Sequence, residues 1–95
     1  MSINVLVLFR VKETQVGTFR ELMSSVKTSL SQVAGCRGVR IFHGVDEPKL
    51  FTLLETWESK ERHRAHLAML VSTGQWNQLL EYLAADPVTS YLEEL

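Results

Sequence analysis

The chain has 95 residues, ten basic and eleven acidic, for a formal charge of −1. That length makes a single domain over 1–95, and a fold this small buries somewhat over ~60% of its unfolded surface, so a monomer is only modestly stable. The balanced charge argues against a nucleic-acid or anionic-membrane partner. The longest apolar run, Val5 to Phe9, is too short to span a bilayer.

No basic segment precedes that run and no small-residue cleavage site follows it, so no signal peptide is expected. Cys36 is the single cysteine, which excludes an intramolecular disulfide. A reducing cytoplasm is therefore the expected compartment.

Ile3 to Val11 is the first expected strand: Ile3, Val5, Val7, Phe9 and Val11 alternate with Asn4, Leu6, Leu8 and Arg10. The second set is only half polar. A sheet covered on one side alternates more cleanly, so Leu6 and Leu8 imply that the other face is covered too. The chain is too short for a third layer, which leaves a second copy of itself as the cover. Thr14 is placed to cap a helix running to about Val33, with Val16, Phe19, Met23, Val26, Leu30 and Val33 as its buried stripe. Gly35 stands where a left-handed residue would end that helix.

A second strand runs from about Arg37 to Gly44, and Asp46-Glu47-Pro48-Lys49 turns the chain into the next. Phe51 to Leu70 then carries the chemistry. Phe51 to Trp57 has the pattern of a strand, with Glu55 and Trp57 on one side of it. Ser59 is a good helix cap, and His63, His66, Leu67 and Leu70 form one stripe of the helix that follows. Folded back over the sheet, that helix would bring a carboxylate, an indole and two imidazoles into one volume.

Ser72 or Thr73 can cap a further helix bearing Trp76, Leu79, Leu80 and Leu83 up to about Ala84, and Asp86-Pro87 stops it. Val88 to Leu92 is a short last strand. The order β-α-β-β-α-(α)-β, with short connections and right-handed crossovers, predicts an α+β fold. It is a ferredoxin-like four-stranded antiparallel sheet with helices on one face.

Gly35-Cys36, then Glu55-Thr56-Trp57-Glu58-Ser59, His66 seven residues past Ser59, and Pro87 before the last strand carry a resemblance over essentially the whole chain. They make it similar to the antibiotic biosynthesis monooxygenase domain family, a branch of the dimeric α/β-barrel folds. The resemblance implies a homodimer with two sheets face to face, which accounts for Leu6 and Leu8. It also implies a pocket between helices and sheet in each subunit. Members oxidise small aromatic quinols or polyketide-like phenols with molecular oxygen and need neither flavin nor metal, so no cofactor is expected.

Leu53 stands where the polyketide-oxidising type has asparagine, and His63 where it has tyrosine. A haem-degrading branch has an asparagine on its first strand, a tryptophan on its second helix and a histidine on the next. Here His66 and Trp76 reverse that order, which speaks against haem degradation.

Within that frame His66 is the candidate base that deprotonates a phenol or quinol, with Glu55 as its carboxylate partner. The competing reading makes His66 a structural histidine bonded to the sheet, and Glu55 half of a salt bridge. Trp57 is either core or, with Phe51 and Leu67, a wall for a planar ligand. His63, nearer the helix start, is expected at the rim, and Asn4 is carried as a further substrate contact. His63-x-x-His66 with Glu55 is a weak metal signal. Cys36 is expected to be a small buried residue. A non-catalytic module that binds a small hydrophobic ligand is the alternative function.

Overall fold

Alternation along β1 (Ile3–Arg10) and β3 (Leu50–Trp57) sets the layers. Val5, Val7 and Phe9 of β1 and Phe51, Leu53 and Trp57 of β3 are buried, while their neighbours along each strand are less so. The computed structural model describes residues 2–95. β2 (Cys36–His43) and β4 (Val88–Leu92) complete a sheet of order β2-β3-β1-β4 with every neighbouring pair antiparallel. This is the ferredoxin-like arrangement expected from the sequence, as an open sheet with the helices on one face.

The core lies between that face and α1 (Val16–Leu30), where Phe19 meets Phe9 at 5.4 Å and Phe51 at 5.1 Å, both edge-on. Met23 and Leu30 are buried beside it, with Val16, Val26 and Val33 packed against the cluster.

The helix ends differ from expectation. Thr14 does not cap α1: it lies in a tight turn, Glu13–Gln15, that precedes the helix, and Gln15 N–H bonds to Lys12 O at 2.9 Å. At the other end Gln32 and Val33 N–H reach back three residues to Ser29 and Leu30 O, so the last turn tightens and stops before Val33. Gly35 is left-handed (φ 91°), as its place demands, but it serves the next junction rather than the helix end. Its carbonyl accepts from Glu58 N–H at 2.7 Å, and a Cβ there would stand 3.1 Å from Arg62 carbons.

Ser59 caps α2 (Lys60–Ser72) as expected, its hydroxyl accepting from Arg62 N–H at 3.2 Å. Ser72 and Thr73 do not cap a restart. Their hydroxyls bond back to Met69 O at 3.0 and 2.9 Å, and left-handed Gly74 (φ 83°) leads into α3 (Gln75–Leu80). α3 is shorter than the leucine spacing implies, because Leu83 leaves the helix to bridge Val11.

On the far face of the sheet, Phe42, Val88 and Leu92 are exposed and Leu6, Leu8 and Leu54 half-buried. Among the described residues, no helix is long and apolar enough to cross a membrane.

Candidate active site

Capping by Ser59 starts α2 immediately after β3, so the helix returns over the strand it has just left. His63 and His66 rest on Trp57 of the sheet, Leu67 and Leu70 face the space beside them, and α1 and α3 close the sides. Between them is a cavity of about 360 Å³. Val7, Phe9 and Leu53 line it from the sheet, Met23 and Leu30 from α1, and Trp76 and Leu79 from α3. Glu55, His63 and His66 bring the ionisable groups. An apolar chamber with a few convergent polar groups is the usual form of a small-molecule site.

Trp57 is the hub of the polar end. It is 0% exposed, and its Nε1–H donates to Glu55 Oε1 at 2.6 Å, between two residues on the same side of one strand. The His63 ring meets the indole edge-on at 5.6 Å, and the His66 ring lies tilted against it at 5.4 Å. His63 Nε2 faces Glu55 Oε1 at 3.9 Å, beyond hydrogen-bond reach, and His63 Nδ1 is 2.7 Å from the Tyr91 hydroxyl. Lys60 Nζ lies 4.7 Å above the Tyr91 ring.

Burial raises the Glu55 carboxyl from its ordinary value, with the Trp57 N–H pulling the other way. It lowers the His63 imidazole, further depressed by His66, and lowers His66. The site therefore favours neutral imidazoles. The unfolded histidines accept a proton near ~6.5, where the folded ones still resist it. Stability linked to them is complete above that value and is lost as pH falls through it toward the lowered folded values. Glu55 has the opposite sign: its contribution is complete below ~4.3 and is lost as pH rises through its folded value. The histidine contribution makes the urea midpoint fall further between pH 7 and 5 in the wild type than in a protein without the two imidazoles. Paired His63→Gln and His66→Gln substitutions should make that change in midpoint less negative, and an identical pH dependence in the double variant would contradict the assignment.

Several expected placements are corrected. His63 is not at the rim: it is 5% exposed, because the first turn of α2 lies closest to the sheet. Glu55 is not the partner of His66; its contacts are Trp57 and His63, and among the described residues His66 forms no side-chain hydrogen bond. Trp57 lies behind Glu55 and the imidazoles and does not line the cavity. Phe51 is core, and its remaining surface faces a shallower groove beside Arg20 and Lys27. Asn4 is on the other face of the sheet, where its Oδ1 accepts from Thr56 Oγ1 at 2.9 Å. Leu67 lines the cavity.

Cys36 is half-buried at the head of β2, and desolvation raises its thiol pKa. No three His, Cys, Asp or Glu side chains converge at metal spacing among the described residues.

Sequence reasoning missed Tyr91, whose hydroxyl reaches His63 from β4. The usable signal was the pairing of β4 with β1, which sets Tyr91 opposite Val5 and so on the helix side. Trp76, expected only as part of the apolar face of the last helix, packs against the core and also walls the cavity.

The chain matches the family model for antibiotic biosynthesis monooxygenase over residues 2–70. No curated protein matches the sequence. Among solved structures, a conserved protein of Methanosarcina mazei superposes with a TM-score of 0.87 at 20% identity, covering 100% of this chain and 94% of that one. A Mycobacterium tuberculosis protein gives 0.85 at 19%, covering 100% and 96%. A structure described as an antibiotic biosynthesis monooxygenase gives 0.86 at 15%, covering 98% of each chain. At such identities these likenesses establish the fold, and the family model adds the kinship: this chain belongs to the antibiotic biosynthesis monooxygenase family.

Proposed function

We propose that the protein is a cofactor-independent monooxygenase that oxidises a small quinol- or polyketide-like aromatic with molecular oxygen. One observation carries this reading: an apolar cavity whose ionisable groups gather around Trp57, with His66 free to meet a ligand. A neutral imidazole is a competent base. His66 takes the phenol proton, and the phenolate gives an electron to oxygen far more readily than the neutral phenol does.

Superoxide and the substrate radical then combine at a ring or benzylic carbon that bears hydrogen. Loss of water from the resulting hydroperoxide leaves a carbonyl. The substrate loses two hydrogens and gains one oxygen atom, the second oxygen atom leaves as water, and all electrons come from the substrate. Apolar walls keep the radical pair from water. Metal-free protein should therefore take up oxygen with a panel of phenols and hydroquinones, and uptake no faster than in buffer would sink the reading.

The apolar lining also favours a second reading, a module that binds a hydrophobic ligand without turning it over. It predicts ligand-raised Tm with no oxygen consumption.

We assign the far face of the sheet to a second copy of the chain, its sheet meeting Leu6, Leu8, Leu54 and their exposed neighbours to form a dimeric barrel. Sedimentation should give a dimer at micromolar concentration and a monomer for Leu8→Glu; a wild-type monomer would contradict the assignment. The lone Cys36 and the balanced charge fit a cytoplasmic protein with no nucleic-acid partner.

A further inference from the structure

The groove that takes the remaining surface of Phe51 is a second hollow, about 210 Å³ in volume, between α1 and β2. Its α1 side is a single helical stripe: Arg20, Met23, Ser24 and Lys27 stand at i, i+3, i+4 and i+7. Ile41 and His43, two apart on β2, border it from the sheet, and Phe51 pairs with His43 in the register. The strand order leaves β2 at the edge of the sheet, so no further strand closes that side. Met23 and Phe51, each 2% exposed, form an apolar floor, and half-buried Ile41 forms a wall.

The cations of this groove lack their usual partners. Arg20 has Val16, Gly17, Met23 and Ser24 as its helical neighbours, and Lys27 has Met23, Ser24, Leu30 and Ser31, so neither meets an acid along α1. No residue bordering the groove is acidic, and among the described residues neither cation has a carboxylate partner. The chain as a whole carries a formal charge of −1, so the positive charge here is local and not a general excess.

An inorganic anion would meet the cations and leave the apolar floor bare, and a neutral hydrocarbon would do the reverse. A compact organic acid uses both. The guanidinium fork matches a carboxylate in two places, and the ammonium adds a point charge. We propose that this groove is a second binding site, for a small aryl carboxylate: Arg20 and Lys27 hold the carboxylate, and Met23, Ile41 and Phe51 take the ring. The site lies on the helix side of the sheet, opposite the face assigned to a second copy. It goes beyond the oxygenase reading of the larger cavity and does not rest on it.

The test compares 2-naphthoate with 2-naphthamide, which keeps the ring and loses the charge, and with inorganic phosphate, which keeps the charge and has no ring. Binding is read from amide shifts in ¹H–¹⁵N spectra. Naphthoate should shift Ser24, Ile41 and His43, and at those amides it should bind about tenfold more tightly than naphthamide at low salt, the effect of roughly two exposed charge pairs. That margin should shrink as ionic strength rises. Met23 borders both spaces, so entry into the larger cavity is read instead at Leu67 and Leu70, which line that cavity alone. Arg20→Gln and Lys27→Gln should each weaken naphthoate by about two- to fivefold and leave naphthamide unchanged. Both side chains are exposed, so the variants keep the fold.

Naphthoate shifts confined to Leu67, Leu70 and their neighbours would overturn the proposal. So would equal affinity for acid and amide at the groove, or a double variant that binds naphthoate as tightly as wild type. Phosphate binding as tightly as naphthoate would overturn it too, since the apolar floor would then contribute nothing. Oxygen uptake is not a readout here, so failure of the oxygenase reading leaves this site standing.

Discussion

His66→Ala is expected to lower kcat for a phenolic substrate by about 10²–10⁴-fold, the usual contribution of a positioned general base. KM should change little, because the apolar walls that hold the ring system remain. Stability should also change little, since the His66 ring is half-buried and no side-chain hydrogen bond depends on it. The remaining wild-type signature is in the pH profile. Burial lowers the His66 pKa, so activity is present above that lowered value and is lost as pH falls through it. The acid limb of kcat/KM should accordingly lie below the ~6.5 of a free imidazole. Full activity in His66→Ala would transfer the base to another ionisable group of the cavity, His63 or Glu55.

Trp57→Ala is expected to cost about 3–5 kcal/mol, the range for truncating a buried aromatic. That is a large part of the roughly 5–15 kcal/mol available to a folded domain. Trp57 is fully buried, and its loss removes the surface against which both imidazoles rest, together with the N–H on Glu55. Trp57→Phe restores much of the volume and should cost less, about 1–3 kcal/mol, for a buried carboxyl left without its donor. Urea unfolding at a fixed protomer concentration measures both, the concentration being held because association adds to apparent stability. A Trp57→Ala cost under about 1 kcal/mol would mean that the site collapses onto the gap, against the close packing expected there.

The fold was legible because each strand carries its own alternation. Val5, Val7 and Phe9 named the inner face of β1, and Glu55 and Trp57 fell on the same side of β3 by their spacing alone. The stripe of α2 was legible for the same reason, and Ser59 marked its start. Helix ends were less so. The tight turn at Glu13–Gln15 and the back-bonded hydroxyls of Ser72 and Thr73 are choices between local hydrogen bonds that periodicity does not record.

Pairings within the site were the hardest. Helical spacing put His63 and His66 on one stripe, but which imidazole sits deeper depends on how α2 tilts over β3. Only that tilt sets His63 toward Glu55 and leaves His66 against the indole. Tyr91 and Trp76 reach the site from elements far along the chain, so their roles depend on strand order and helix placement. Asn4 and Phe51 were assigned by proximity in sequence to the right strands. The pleat sends Asn4 to the far face, and Phe51 sits against Phe19, away from the chamber.

The central claim is that oxygen from O₂ enters an aromatic bound in this cavity. Reaction of metal-free protein with a phenolic substrate under ¹⁸O₂, followed by mass spectrometry of the product, tests it most directly. The account predicts one labelled oxygen atom per product molecule, with product formed about 10²–10⁴-fold more slowly by His66→Ala. Unlabelled product, or oxygen consumed entirely to hydrogen peroxide, would contradict it.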